Sequence, residues 1–218
     1  MSPLSLQIEC IESQPFAENS YIAHFEHNPD CVVIDPGMEP DLIEERLAEQ
    51  GLQLKAILIT HAHGDHIAGI PSLRAAWPEC PVYIGRKEAS KLGDPWQNLS
   101  AQFGLPIALP PADVLLDEGE SFSVAGITLR VAEIPGHSSG HIVYIFDGAQ
   151  PAVVFGGDVL FRGSIGRTDF PGGSLEALAN GIRTKLYTLP DDTRILSGPG
   201  PETTVGREKR SNPYVRAV

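Results

Sequence analysis

The segment Thr60-His61-Ala62-His63-Gly64-Asp65-His66 constrains this chain more tightly than any other part of it, because it follows the apolar run Ala56-Ile57-Leu58-Ile59 without a break. A strand that ends in three histidines and an aspartate must deliver them to nearly one place. Neutral imidazole nitrogen and carboxylate oxygen together suit zinc, iron or manganese. The spacing is not the His-Glu-x-x-His pair of a helix, so a loop at the strand end is expected to wrap the ion, and Gly64 permits the tight path. A plain solvated loop is the competing description. Three of the chain's seven histidines within six residues, directly after an apolar run, argue against it.

Around this segment the chain alternates strand and helix patterns. Apolar and β-branched runs predict strands over residues 4–11, 20–25, 31–34 and 56–60, and Leu42, Ile43 and Leu47 predict a helix over 39–50 that stops at Gly51. A second helix over 69–77 and a short strand over 81–84 follow, whereas residues 86–111, rich in Pro, Gly and polar side chains, carry no readable period. Strands return over 121–124, 127–132, 141–146 and 152–155, before a helix over 175–186 and a last strand over 194–197. Strands followed by helix thus occur twice. That order fits the α/β class, with two sheets packed face to face and helices outside, a four-layer αββα sandwich whose halves share one edge. With 218 residues, 42% hydrophobic content and no linker or repeat, residues 1–218 are expected to form a single domain.

Composition excludes several roles. The net charge of -12 repels phosphate-rich partners, so nucleic acid is not an expected ligand. No run of about 18 apolar residues is present to span a membrane. The start of the chain carries Glu9 where a signal peptide needs basic residues, so a cytoplasmic protein is expected. Cys10, Cys31 and Cys80 are odd in number and lack CxxC spacing, which predicts reduced, mostly buried thiols.

Two further stations sit at strand edges among glycines: Pro135-Gly136-His137-Ser138-Ser139-Gly140-His141 and Phe155-Gly156-Gly157-Asp158-Val159-Leu160-Phe161. In this order the three segments resemble the metallo-β-lactamase superfamily. Phe161-Arg162-Gly163-Ser164-Ile165-Gly166-Arg167-Thr168-Asp169-Phe170 narrows the resemblance to glyoxalase II-like hydrolases and persulfide dioxygenases. The tail Gly200-Pro201-Glu202-Thr203-Thr204-Val205-Gly206-Arg207-Glu208, with Asn212-Pro213, is similar to the ending of short, single-domain glyoxalase II-like proteins. The resemblance implies the metallo-β-lactamase sandwich, with His61, His63 and His137 holding a first metal, Asp65 and His66 a second, and Asp158 bridging the two. The family's last ligand, a histidine between two glycines after the final strand, is absent. The chain reads Ser197-Gly198-Pro199-Gly200 there, and no histidine follows His141.

On this resemblance one Zn2+ is firmly held and a second is weak or absent, with Fe2+ or Mn2+ also compatible with the donors. Asp65, relieved of the second ion, is then placed to orient or deprotonate the reacting water, and Asp158 shares the catalytic centre. The implied activity is hydrolysis of a small-molecule thioester of the S-acylglutathione type. Long glyoxalase II enzymes add a C-terminal helical domain that contacts glutathione, and the chain ends at Val218 without room for one, so the reaction class is implied more firmly than glutathione. Two other readings are open: a mononuclear iron persulfide dioxygenase using His63, His137 and Asp158, and a catalytically impaired ligand-binding relative prompted by Pro199.

Four more residues are singled out. Asp35, in Asp35-Pro36-Gly37, is implied to support the metal loop, and His141 is expected to be packed and hydrogen-bonded. Arg167 and Asp169 are expected to form a buried or semi-buried polar pair, with contact between Arg167 and a substrate carboxylate as the alternative. Tyr144, Phe161 and Phe170 read as core or pocket wall. The oligomeric state is not specified by the sequence.

Overall fold

The computed structural model describes residues 5–216, and Leu4, the expected start of the first strand, lies outside them. The first half runs β1 (Leu6–Ser13), β2 (Glu18–Phe25), β3 (Asp30–Ile34), α1 (Pro40–Gln50), β4 (Gln53–Ile59), α2 (Gly64–Ile67), α3 (Ile70–Ala76), β5 (Val82–Gly85) and β6 (Val114–Leu116). The second runs β7 (Ser121–Val124), β8 (Ile127–Glu133), β9 (Ile142–Phe146), β10 (Val153–Gly157), β11 (Leu160–Phe161), β12 (Ser164–Ile165), α4 (Leu175–Gly181), β13 (Arg194–Ser197), β14 (Thr203–Thr204) and α5 (Val205–Ser211). One sheet has the order β1-β2-β3-β4-β5-β6 and the other β14-β13-β10-β9-β8-β7. Strands β3 to β6 pair in parallel, as do β10 and β13.

Period-two alternation of apolar residues splits these strands between three layers. In β4, Ile57 and Ile59 face the layer beneath α1 and α3, whereas Ala56 and Leu58 face the layer between the sheets. In β9, Ile142, Tyr144 and Phe146 join that middle layer, while Val143 and Ile145 pack beneath α4 and α5. Ile43 and Leu47 of α1 close one outer layer, and Leu178 of α4 with Val205 of α5 closes the other. This is the four-layer αββα sandwich that the alternation predicts. Central strands buried on both faces read as continuous apolar runs, and each fully buried Val, Leu or Ile contributes roughly 1.5–3 kcal/mol. Gly51, at φ 66°, ends α1 in the left-handed conformation expected of a helix-stopping glycine.

Several elements depart from expectation. The motif is not wholly a loop: it opens a four-residue helix at Gly64, so Asp65 and His66 stand on a helical turn and only His61 to His63 form the loop ahead of it. The expected helix over 175–186 is α-helical to Gly181 and continues as a π turn over Ile182–Leu186. Residues 86–111 hold two short 3-10 turns, Ala89–Gly93 and Ser100–Phe103, which carry no hydrophobic period to read. Strands β6, β11, β12 and β14 are two or three residues long, and α5 (VGREKRS) is mostly polar, so tertiary pairing rather than pattern forms them. Cys31 and Cys80 are buried as expected, whereas Cys10 is exposed. Among the described residues no helix is long and apolar enough to cross a membrane.

Candidate metal centre

The site lies where the C-terminal ends of β3, β4, β10 and β13 meet, the edge at which open α/β sheets place ligands. Asp35 follows β3, His61 lies two residues past β4 with Thr60 between, Asp158 follows β10, and Gly198 follows β13. Backbone bonds hold these ends together: Ile142 N–H donates to Thr60 O at 3.0 Å, and Gly198 N–H donates to Gly157 O at 3.0 Å. Only glycine fits two of these positions. A Cβ on Gly157 would stand 2.3 Å from Thr60 Oγ1, and one on Gly198 would stand 2.3 Å from Asp158 Oδ1 and 2.9 Å from His66 Cε1.

Three imidazoles converge. His61 Nε2 is 2.9 Å from His63 Nδ1, and His137 Nε2 is 2.9 Å from His63 Nδ1 and 3.2 Å from His61 Nε2. Donors bound to one ion at about 2.0–2.1 Å stand roughly 3.3 Å apart at a tetrahedral angle, so this trio fits a single metal. Two further groups within ligand spacing are His61, His66 and Asp158, and Glu18, Asp35 and His66. His66 Nε2 and Asp158 Oδ1 stand 3.4 Å apart, and neither has a hydrogen-bond partner although both are buried. An orphaned lone-pair nitrogen facing an orphaned carboxylate oxygen is costly without a cation and fits one well. Asp65 is less closely drawn in: its Oδ2 is 3.9 Å from His66 Nε2, and it belongs to none of the three groups.

The rings are oriented from behind. Asp35 accepts from Thr60 N–H at 2.7 Å and from the Thr60 hydroxyl at 2.6 Å, and its Oδ2 lies 3.1 Å from His66 Nδ1. The Thr60 hydroxyl, donating to Asp35, has a lone pair for His61 Nδ1–H at 3.2 Å. In the neutral form that binds metal, both imidazoles therefore carry their proton on Nδ1 and turn Nε2 toward the cluster. His137 Nδ1–H donates to Arg167 O at 2.9 Å with the same result. Asp35 holds φ 48°, a region that costs a non-glycine residue on the order of 1–2 kcal/mol. Its hydrogen bonds offset that strain.

Charge is distributed unevenly. Burial, reinforced by the neighbouring imidazoles, holds His61 and His63 well below the usual histidine range, in the neutral form that binds metal. Burial also works against a charge on His66, but Glu18, Asp65 and Asp158 outweigh it and push that imidazole well up. Asp158 is the converse: burial opposes its ionisation, yet His66, His137 and His141 hold it well below the carboxylate range. Burial raises Asp65.

His141 stacks on His61 with ring centroids 4.6 Å apart, and its Nε2 accepts from Asp158 N–H at 3.1 Å, so it wedges the cluster rather than joining a ligand group. The Arg167–Asp169 pair forms, with two 2.7 Å bonds, but not buried or semi-buried: the side chains are 57% and 67% exposed. The short loop after β12 runs over the surface, and Arg167 lies 4.0 Å over the Phe170 ring. Tyr144 is core, its hydroxyl donating to Ile59 O at 2.9 Å, Phe170 is pocket wall, and Phe161 is partly buried.

Two buried acids escaped sequence reasoning. Glu88, fully buried, accepts from Ala62 N–H at 3.1 Å, Ser138 Oγ at 2.6 Å, Gly140 N–H at 2.7 Å and Lys91 Nζ at 2.7 Å, tying the loop of His61 and His63 to that of His137. Glu18 places Oε1 3.4 Å from His66 Nδ1. Neither carries a local signal, since one lies in the unreadable segment and the other in an ordinary strand.

His63, Asp65, His137 and Asp158 line a cavity of about 220 Å3 beside Pro199. A family model for the metallo-beta-lactamase superfamily matches residues 14–198. The chain belongs to the metallo-β-lactamase superfamily. This superfamily member is 41% identical over 186 residues to the probable metallo-hydrolase YqgX of Bacillus subtilis, covering 85% of this chain and 87% of the relative. It is 36% identical over 214 residues to hydroxyacylglutathione hydrolase GloC of Haemophilus influenzae, covering 97% and 99% of the two chains. Among solved structures, the BLEG-1 B3 metallo-beta-lactamase superposes with a TM-score of 0.90 at 38% identity, covering 96% of this chain and 99% of that one. TTHA1623 in a di-iron-bound form does so with a TM-score of 0.82 at 37% identity, covering 95% and 100%. A metallohydrolase fold with a histidine and aspartate cluster is thereby shown.

Proposed function

We propose that this superfamily member is a glyoxalase II-like hydrolase of small-molecule thioesters, with His61, His63, His137 and Asp158 holding its principal ion. The observation that carries the proposal is the convergence of three imidazole nitrogens within 3.2 Å of one another, with His63 and His137 lining an open cavity. Likeness to hydroxyacylglutathione hydrolase GloC over nearly the whole chain supports the reaction class. The proposed ion is zinc, and the same donors accept Fe2+ or Mn2+. A second ion is weakly held, because His66 and Asp158 meet Asp65 only loosely and Pro199 offers no donor atom.

An ion held by His61, His63, His137 and Asp158 would supply Lewis acidity for the thioester carbonyl and for a water beside it. The residues supply the rest. Asp65, which lines the cavity and is raised by burial, accepts the proton that the attacking water gives up and returns it to the departing thiolate. Asp35 and Thr60 keep His66 and His61 in the tautomers that face the cluster. Thiol release from S-lactoylglutathione and from acyl thioesters of small thiols tests the reading. Hydrolysis that is lost on chelation and restored by metal is expected. Fully metal-loaded protein that cleaves none of them would instead be a ligand-binding relative.

One observation favours a second reading, oxygenation of a persulfide at a single iron. His63, His137 and Asp158 form a compact set of two imidazoles and one carboxylate, with His137 Nε2 3.5 Å from Asp158 Oδ2. Oxygen uptake by iron-loaded protein with glutathione persulfide supports it, and no uptake removes it.

A further inference from the structure

The cavity above the metal cluster has an apolar wall made by Phe16, Leu99, Phe103, Leu105, Ile107 and Phe170. We infer that this wall takes an apolar acyl group, so that the substrate is an alkanoyl thioester rather than a hydroxyacyl one. The inference rests on the thioester reading above and specifies its substrate class.

The wall is built to stand open. Phe103 is 53% exposed and Leu105 47%, with Phe16 set edge-to-face against Phe103 at a centroid distance of 5.2 Å. Large apolar side chains held open beside a reaction centre mark a binding surface more than chance exposure does. The segment that carries them is pinned from inside. Asn98, fully buried, donates to Ile107 O at 2.8 Å and accepts from Ser100 Oγ at 2.6 Å, and Ser100 Oγ accepts from Ile107 N–H at 2.8 Å. Leu99 is held at φ 65°, a conformation that a bulky residue rarely adopts. The wall is therefore largely preformed.

Charge points the same way. Among the described residues, the one lysine or arginine that lines the cavity is Arg167, and it is engaged by both carboxylate oxygens of Asp169 at 2.7 Å and by the face of Phe170. A hydroxyacyl group would find its hydroxyl against hydrocarbon, and the carboxylates of a peptide thiol would find no free cation along the wall. An alkyl chain meets neither penalty. The thiol part of natural thioesters is polar, so the acyl arm is the part that matches these side chains.

The test is a series of S-acyl-N-acetylcysteamines from acetyl to octanoyl, whose neutral thiol is constant, with S-lactoylglutathione alongside. For the metal-loaded protein, kcat/KM is expected to rise about fourfold per methylene until the cavity is filled. Phe103→Ser and Leu105→Ser are each expected to flatten that rise while metal content is unchanged. A second readout needs no turnover: the non-hydrolysable S-octyl-N-acetylcysteamine should bind with a negative heat-capacity change, and at least tenfold more weakly to Phe103→Ser. Equal rates along the series, or preference for S-lactoylglutathione, overturns the inference and leaves the thioester reading standing. No hydrolysis of any member overturns both.

Discussion

Glu18 and Pro199 face each other across an isolated antiparallel bridge, which fastens the turn after β13 to the second strand of the opposite sheet. The same turn presses Gly198 against Asp158 and His66, so the residue at position 199 stands at the lip of the incompletely liganded side of the cluster. Pro199 has a side chain with no donor in the place where a further ligand is wanted. Purified protein is expected to retain one tightly held ion, and Pro199→His to retain two, with affinity for the second raised by at least about tenfold. Metal content after gel filtration measures this. A variant that gains no metal shows that the turn does not aim position 199 at the cluster.

Substitution of Asp65 is expected to separate the proposed proton transfer from metal binding. Because it belongs to no convergent ligand group, Asp65→Asn is expected to keep the principal ion while kcat falls by roughly 10^2–10^4. Steady-state kinetics together with metal analysis of the same sample checks both halves. Loss of the ion in this variant would make Asp65 a ligand instead.

Glu88 joins two ligand loops that are remote in sequence. Glu88→Ala would leave Lys91 a buried cation without its carboxylate and free the amides of Ala62 and Gly140, at a cost of about 3–5 kcal/mol. Urea unfolding of the variant reads this directly. A loss under about 1 kcal/mol, within the range of surface substitutions, would show that the staple is dispensable.

Acid should destabilise the metal-free protein. His61, His63 and His141 are held below their ordinary value, chiefly by burial, so the unfolded chain binds protons that the folded chain refuses. Stability from these groups is present above about pH 6.5 and is lost as pH falls below it, by up to about 1.4 kcal/mol per unit for each histidine. His66 has the opposite sign: raised by its acidic neighbours, it stabilises below the ordinary histidine value and loses that contribution as pH rises through its folded value. Glu18 and Asp65, raised by burial, share the sign of His66, but these two carboxyls can take up at most two protons in the folded chain below about pH 6.5, against three by the histidines of the unfolded one. Urea midpoints of chelated protein at pH 7 and 5.5 check the sign, and an unchanged or higher midpoint at the lower pH contradicts it.

Much of the site was legible because its donors come in short runs at strand ends. The apolar block of β4 predicts a strand, and four of the clustered donors follow within seven residues of its end at Ile59. His137 and Asp158 carry weaker local signals, yet their order along the chain brought them into the same reading. Glu88 and Glu18 were illegible for a physical reason. The bonds of Glu88 cross 26 to 52 positions to Ala62 and Gly140, and Glu18 reaches its place beside His66 only when β2 pairs with β3.

Local chemistry in the sequence decided that this chain carries a metal-ligand donor set and that its strands alternate between layers, because ligand type and period-two burial are properties of neighbouring residues. It also decided that position 199 lacks a donor. Tertiary structure alone decided that Asp65 stands apart from the tight trio, that the Arg167–Asp169 pair is exposed, and that Phe16 and Phe103 meet across the cavity mouth. Those facts depend on where separate strand ends converge, and convergence is set by the packing of two whole sheets rather than by any one segment.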